Sequence, residues 1–158
     1  MPEIKWIKLM PRDDLRIGRY SAAGHAYHVT TVIEGRGPIF SDLMLGRILV
    51  RGMKRLHDNG DVQSLAFVVM PDHLHWLFVQ GDRLTLSEVI RSLKGSSSLQ
   101  LGKVMGRRGP LWQRAFYDHA VRNDEDVRQI ARYIISNPLR RRLVKNVGDY
   151  PLWDAAWL

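Results

Sequence analysis

The sequence predicts an α+β fold built on a mostly antiparallel sheet. Runs rich in β-branched and aromatic residues alternate with stretches whose apolar residues recur at helical spacing. Two of the strand-like runs are separated only by Pro71-Asp72, which is typical of a β-hairpin and therefore of antiparallel pairing. The chain has 158 residues, 45% of them hydrophobic, which is enough for one core and too little for two ordinary domains. We therefore expect one domain over residues 1–158.

The first half of the chain predicts a strand, a helix and the hairpin. Residues 25–33 are rich in β-branched and aromatic side chains and predict the first strand. Residues 42–57 carry apolar side chains at helical spacing, and Asn59-Gly60 is a typical helix end. The hairpin follows over residues 64–80 and supplies two further strands.

The second half predicts a second helix and a fourth strand. Thr85 and Glu88 form a capping-box pair at the start of this helix, which Gly95 and the three serines after it would weaken or bend. Residues 102–110 predict a flexible basic loop. Residues 116–121 predict the short fourth strand.

A last helix is predicted after Asn123, which is the expected N-cap and is followed by an acidic first turn that suits the helix dipole. Pro138 disfavours helical geometry in the residue before it, so this helix should stop near Asn137. The predicted order is thus β-α-β-β-α-β-α. It indicates a ferredoxin-like sheet, similar to that of RNA-recognition domains (RRM-like), with two helices on one face and an added C-terminal helix.

The central motif is His73-Leu74-His75 in the second strand of the hairpin. Because side chains alternate along a strand, both histidines should project from one face while Leu74 points into the core. Two imidazoles about 7 Å apart on one rigid face can share a divalent metal ion. The alternative is a pair of histidines on the solvated face of a strand.

Tyr133 and Asn137 form a second candidate feature, on the last helix. They are four residues apart, so they should stand one turn above each other beside the apolar stripe of that helix. A phenol hydroxyl and an amide on one helix edge could both face a neighbouring metal site. The alternative is a tyrosine at the boundary of the core and an asparagine that stops the helix. The stripe itself consists of Val127, Ile130, Ala131 and Ile134.

Positive charge is concentrated in the second half of the chain. The whole sequence has 24 basic and 16 acidic side chains, a net charge of +8, and residues 91–158 alone carry 13 basic and 6 acidic ones. Such an excess attracts polyanions, of which nucleic acid is the commonest soluble one. The alternatives are an anionic membrane surface, for which no suitable amphipathic helix is evident, and a basic surface that is simply solvated.

The composition excludes several other classes of protein. No run of eighteen apolar residues is present, so we expect no membrane span. The sequence contains no cysteine, which excludes disulfides and thiolate metal sites and leaves His, carboxylate, amide or water as metal ligands. The first six residues lack the apolar core of a secretory signal, and we expect a cytoplasmic protein.

Three stretches of the chain resemble one family of DNA-processing proteins. They are residues 24–30, residues 70–75 with the histidine pair, and residues 112–122 leading into residues 133–138. In this order they resemble the HUH single-strand nucleases, and more narrowly the REP-associated tyrosine transposases of the single-tyrosine insertion-sequence superfamily. The resemblance covers most of the chain. It implies a single HUH transposase-like domain with a catalytic C-terminal helix and a tail from about residue 140.

The resemblance also implies roles for the two candidate features. His73 and His75 would ligate a divalent metal ion, Mg²⁺ or Mn²⁺, and Asn137 would be the third ligand. Tyr133 would be the nucleophile. Tyr117 is a rival for that role because it also lies in a matching stretch, and Tyr133 is preferred because an amide follows it one helical turn later.

By the same resemblance, the protein would bind REP-type DNA hairpins and act on single-stranded DNA as a metal-dependent endonuclease and strand transferase, through a 5′-phosphotyrosine intermediate. It would work in the bacterial cytoplasm in association with the nucleoid, as a monomer, with a dimer left open.

Two alternatives are a non-catalytic module that binds single-stranded nucleic acid and a hydrolytic metalloenzyme for a small phosphoester or amide. The candidate DNA contacts, each of which could instead merely solvate the fold, are Arg19, Tyr20, His25, Tyr27, His28, Lys94, Arg107, Arg108, Arg114, Arg122, Arg140 and Arg141.

Overall fold

A five-stranded antiparallel sheet forms the centre of the fold. The computed structural model describes residues 24–122 and 126–156. The strands are β1 (Ala26–Val32), β2 (Val62–Met70), β3 (His73–Gln80), β4 (Tyr117–Ala120) and β5 (Trp153–Ala155). The α-helices are α1 (Leu43–Asp58), α2 (Leu86–Met105), α3 (Val127–Ile135) and α4 (Asn137–Arg140).

The strands lie in the order β4-β1-β3-β2-β5, and every neighbouring pair is antiparallel. The first four strands therefore have the predicted ferredoxin-like arrangement, with β3 in the middle. The fifth strand was not predicted. It comes from the C-terminal tail, which packs back along β2 and seats Leu152 directly against Gly46 of α1, where a side chain would collide with it.

Helices cover both faces of the sheet. Leu74, Trp76 and Phe78 of β3 pack into a core with α1 and α2, which confirms the prediction of two helices on one face. Leu77 lies on the opposite face, in a second core cluster with α3. The added C-terminal helix thus packs on the face that the other two leave open. Within the described ranges, no helix combines the length and the apolar character that a membrane crossing needs.

Helices α1 and α2 each begin at an N-capping residue. The carboxylate of Asp42 accepts from the Met44 amide at 2.9 Å and caps α1. The capping box of Thr85 and Glu88 is present at the start of α2.

The serines in the middle of α2 do not interrupt the helix. The Ser97 hydroxyl donates to the Leu93 carbonyl at 2.7 Å and accepts from the Trp112 indole at 3.0 Å, so its hydrogen bonds are compatible with a helix. The basic loop predicted from residue 102 consequently begins only after Gly106, whose left-handed conformation (φ 62°) ends the helix.

The start of α3 also differs from the prediction. Its N-cap is Asp126, whose carboxylate accepts from the Arg128 amide at 2.8 Å, whereas the predicted cap Asn123 lies outside the described residues. The helix ends at Ile135, close to the predicted stop. Pro138 then lies in the first turn of α4, where its missing N–H is tolerated.

Candidate active site

His73 and His75 stand side by side on the α3 face of the sheet. β3 is paired on both sides, with β1 and with β2, so the directions of its side chains are fixed. The two imidazole rings are 4.9 Å apart between centroids and nearly perpendicular. The turn before them is anchored, because the Ile33 and Phe40 amides donate to the carbonyls of Asp72 and Pro71 at 2.9 Å. The predicted common face of the two histidines is therefore present on a rigid support.

A carboxylate fixes the orientation of His73. Its Nδ1 donates to Asp72 Oδ1 at 2.6 Å, and Asp72 Oδ2 accepts from Arg36 at 3.3 Å. Burial alone would raise the pKa of Asp72, but the hydrogen bonds and charges of His73 and Arg36 outweigh it and lower that pKa. An ionised carboxylate can only accept, so it favours the tautomer of His73 with the proton on Nδ1 and the lone pair on Nε2.

His75 has two partners on β1. Its Nδ1 is 3.0 Å from His28 Nε2 and 3.0 Å from Thr30 Oγ1. Burial, with a smaller effect of the neighbouring charges, of which His73 is the largest, lowers the pKa of His75 to about 3. Burial, followed by the charge of His119, lowers the pKa of His28 to about 4. Both imidazoles are therefore neutral at physiological pH, which is the form of histidine that ligates metals.

Tyr133 lies on the solvent side of α3, with 58% of its surface exposed. The guanidinium of Arg140 lies 3.9 Å from the centre of its ring and also donates to its backbone carbonyl at 2.8 Å. The positive charges of Arg140 and Arg141 contribute to the lowered pKa of His75. Arg140 thus contacts Tyr133 and also acts on His75 through its charge. The buried side of the helix consists of Val127, Ala131, Ile134 and Ile135, with the predicted Ile130 only partly buried.

Asn137 is buried, with 5% of its surface exposed, and its Nδ2 has no hydrogen-bond partner among the described residues. It begins α4, whereas Tyr133 is an exposed residue of α3, so the two do not form the single helix edge that was predicted. The nitrogen and oxygen of an amide exchange places by rotation of the side chain. A cation could therefore satisfy the unpaired position through the amide oxygen. No cluster of three His, Asp or Glu residues able to hold a metal occurs within the part of the chain described.

Tyr117 stands on the same face of the sheet as the histidines. It pairs with Thr30 across β1 and β4, and Thr30 pairs with His75 across β1 and β3. The tyrosine is therefore two strands, or about 10 Å, from His75 along the sheet. It is exposed over 69% of its surface. The geometry thus keeps both tyrosines as candidates.

Several predicted DNA contacts lie away from the histidines. Tyr27 is on the α1 and α2 face, with its ring 6.5 Å from Phe78 and 6.2 Å from His25. Lys94 and Arg114 line a groove of about 500 Å³ between α2 and residues 110–116.

The other predicted DNA contacts are distributed over three regions. Arg107 and Arg108 follow the end of α2, and Arg122 follows β4. Arg140 and Arg141 lie at the end of α4, and their charges act on His75. His28 contacts His75 directly, a bond of which the sequence offered no hint. Arg19 and Tyr20 lie outside the described residues. The assignment of all these residues to DNA contact stays a prediction.

Comparison with known proteins identifies the class to which this fold and site belong. Residues 21–137 match the family model described as "Transposase IS200 like". A REP-associated tyrosine transposase of Escherichia coli (strain K12) is 36% identical over 88 residues, which are 54% of this chain and 50% of that protein. A protein of Haemophilus influenzae, provisionally named a REP-associated tyrosine transposase, is 30% identical over 140 residues, 81% of this chain and 78% of its own length. The chain thus spans about half the length of the Escherichia coli relative.

Solved structures agree with the sequence matches. The structure of a REP-associated tyrosine transposase bound to a REP hairpin is 25% identical, with a TM-score of 0.70 over 85% of this chain and 79% of that one. A Deinococcus radiodurans protein, provisionally described as a transposase, is 22% identical with a TM-score of 0.52 over 69% of this chain and 87% of that one, and supports the fold alone. The fold and the matches define the class as that of the IS200-like transposases. The chain belongs to that family, in its branch of REP-associated tyrosine transposases.

Proposed function

We propose that this protein binds folded DNA hairpins and cuts and rejoins an adjacent single strand through a tyrosine. The observation that carries the proposal is the pair His73 and His75, held on one face of the sheet, together with Arg140, whose guanidinium lies against the Tyr133 ring and whose charge acts on His75. A related protein has been solved with a REP hairpin bound, which supports the same class of DNA partner here. The basic residues of the second half suit a polyanionic ligand.

The residues present fit a divalent metal ion. His73 and His75 each have Nδ1 engaged by a neighbour, so Nε2 is the nitrogen that would ligate, and the buried amide of Asn137 lacks a partner that a cation would supply. Two imidazoles and an amide leave coordination positions open for water and a phosphate oxygen, unlike the four protein ligands of a structural zinc site. When bound, such an ion would polarise the scissile phosphate and offset the charge of the transition state.

The chain's own residues then account for the covalent step. The phenol oxygen of Tyr133 forms a bond to the phosphorus, while the bond from phosphorus to the 3′ oxygen breaks. The phenol gives up its proton, and the departing 3′ oxygen takes up a proton to become a hydroxyl. Because the new phosphotyrosine retains a phosphodiester, a second 3′-hydroxyl can reverse the step and join strands without a nucleotide cofactor.

Single-stranded DNA is the substrate that suits this site. The scissile phosphate has to lie between the histidine face and the end of α3, where a paired second strand would be in the way. We expect Arg140 and Arg141 to contact phosphate rather than bases. A single strand can also stack its bases on exposed aromatic rings such as that of Tyr117, each stack contributing about 1–3 kcal/mol.

The test is the capture of a covalent protein–DNA adduct. The protein is incubated with Mn²⁺ and a labelled oligonucleotide that carries a hairpin and a flanking single strand, and the products are separated under denaturing conditions. We expect an adduct with the wild-type protein and with Tyr117→Phe, the matched control, and none with Tyr133→Phe or His75→Ala. Loss of the adduct in Tyr117→Phe, with persistence in Tyr133→Phe, would transfer the nucleophile to Tyr117.

The same assay distinguishes the proposed function from the two alternatives that the sequence suggested. Tight hairpin binding by the wild-type protein with no adduct at any Mn²⁺ concentration would favour a non-catalytic binding module. Metal-dependent turnover of a small phosphoester, again without an adduct, would favour a hydrolytic metalloenzyme.

A further inference from the structure

Two side chains of β1 hold one nitrogen of His75. His28 Nε2 and Thr30 Oγ1 both lie 3.0 Å from His75 Nδ1, and all three residues project from the α3 face of the sheet. The rings of His28 and His75 are 5.2 Å apart between centroids. We infer that His28 and Thr30 are positioning residues that determine which nitrogen of His75 is free to ligate a metal ion. The metal in this inference rests on the proposed function.

The inference follows from the single proton of a neutral imidazole. His75 can ligate through Nε2 only if its proton lies on Nδ1, because a protonated nitrogen has no lone pair to give. The Nδ1 proton must then be donated to His28 Nε2, to Thr30 Oγ1 or to both. If His28 donated instead, His75 Nδ1 would accept, the proton of His75 would move to Nε2, and the ligating position would be blocked.

The two ligating histidines differ in this respect. His73 faces the carboxylate of Asp72, which can only accept a hydrogen bond, so its tautomer is fixed. His75 faces an imidazole and a hydroxyl, and each of these can either donate or accept. The competence of His75 as a ligand is therefore set by His28 and Thr30, and loss of either acceptor leaves its Nδ1 proton less firmly held.

The neighbouring Thr31 offers a matched control for Thr30. Its side chain lies on the opposite face of β1, is 1% exposed, and has no hydrogen-bond partner for its hydroxyl among the described residues. Thr30→Val and Thr31→Val are the same chemical change one residue apart on the same strand. Only the first removes a partner of His75.

The test measures the tautomer of His75 and the affinity of the protein for Mn²⁺. Long-range ¹H–¹⁵N NMR spectra of the metal-free protein identify the protonated nitrogen, and calorimetric titration gives the dissociation constant for Mn²⁺. We expect Nδ1 to be protonated in the wild type and in Thr31→Val, with equal Mn²⁺ affinities. Thr30→Val and His28→Phe should raise the fraction protonated on Nε2 and weaken Mn²⁺ binding about 10- to 100-fold, the usual effect of removing a partner of a metal ligand. Thr30→Ser and His28→Gln retain an acceptor and should recover most of the affinity.

Different results would overturn the inference and the proposed function. Protonation of His75 on Nε2 in the wild type, or unchanged tautomer and affinity in both Thr30→Val and His28→Phe, would overturn the positioning role while adduct formation and the proposed function stand. If the wild type bound no Mn²⁺ but the tautomer still shifted in the variants, the positioning role would be upheld and the proposed metal chemistry rejected. Should His28→Phe fail to fold, the decision rests on the milder Thr30→Val.

Discussion

Thr31 is a buried side chain whose hydroxyl is a liability to stability. It lies on the α1 and α2 face of β1, and its Oγ1 lacks a partner among the described residues. Thr31→Val keeps the branched shape and removes the unpaired polar atom, so we expect the free energy of unfolding to rise by about 1 kcal/mol. Urea unfolding followed by circular dichroism measures the change. A loss of stability instead would mean that the hydroxyl is satisfied in the folded protein.

The neutral histidines beside the proposed metal site make the metal-free protein sensitive to acid. The pKa of His75 is lowered to about 3 and that of His28 to about 4, from 6.5, so below pH 6.5 the unfolded chain binds protons that the folded chain does not. The contribution of these two histidines to the free energy of unfolding is fully present above pH 6.5, and it is lost as the pH falls from there toward 4.

We therefore expect the free energy of unfolding, measured in EDTA, to decrease over this range by up to about 1.4 kcal/mol per pH unit for each histidine. His28→Phe should show a shallower decrease. A free energy of unfolding that is the same at pH 7 and pH 4.5 would contradict the lowered pKa values.

The sequence predicted the histidine pair but not the residues that orient it. Strand alternation alone places His73 and His75 on one face. The contact of His75 with His28 joins residues 47 positions apart in the chain, and it depends on the register between β1 and β3, which no local pattern fixes. The roles of His75 and Tyr133 in catalysis, and of Asn137 as a ligand, stay predictions.

At the level of elements, Lys94 connects α2 with the segment that leads into β4. Its Nζ donates to the carbonyls of residues 113, 114 and 115 at 2.8, 3.4 and 3.1 Å, and it lies 5.7 Å from the centre of the Phe116 ring. Lys94→Met keeps the aliphatic stem and removes these bonds, so we expect a loss of about 2 kcal/mol of unfolding free energy. Thermal and urea unfolding measure it.

Arg91 is the matched control for this substitution, because it is an exposed basic residue of α2 that lines the same groove. Arg91→Met should leave stability almost unchanged. If Lys94→Met, like Arg91→Met, left stability unchanged but weakened DNA binding, the sequence-based assignment of Lys94 to DNA contact would be preferred over this structural role.

Element boundaries were predictable where a capping signal stands alone. The pair Thr85 and Glu88 caps α2 as expected, and Asp42, where the first helix was predicted to start, is the N-cap of α1. Before α3 the sequence predicted Asn123 as the N-cap, but Asp126 caps the helix; both residue types are good N-caps, so the wrong one was chosen. The strand β5 was missed because three residues are too few to show a periodic pattern.

At the level of the whole molecule, the net charge of +8 should make DNA binding strongly dependent on salt. We expect the logarithm of the association constant for a hairpin oligonucleotide to fall linearly with the logarithm of the salt concentration. Arg141→Gln should reduce the magnitude of this slope by about 1 if the side chain contacts a phosphate. Fluorescence anisotropy at several salt concentrations measures the slope.

The control is Arg51→Gln, which removes one positive charge from the exposed side of α1, on the opposite face of the sheet. It should change the slope much less than Arg141→Gln. Equal effects of the two variants would indicate that binding follows the total charge of the protein rather than a defined surface.

The sheet separates the groove beside α2 from the histidines near α3. A nucleic acid strand that contacted both would have to pass around one edge of the sheet. At one edge of the sheet β5 pairs with β2. At the other edge β4 is the outermost strand within the described ranges, and all four of its residues are exposed. A polymer taking that route would pass Tyr117 before reaching His75. The thickness of the sheet would then set the smallest number of nucleotides between the DNA segment bound in the groove and the phosphate that is cleaved.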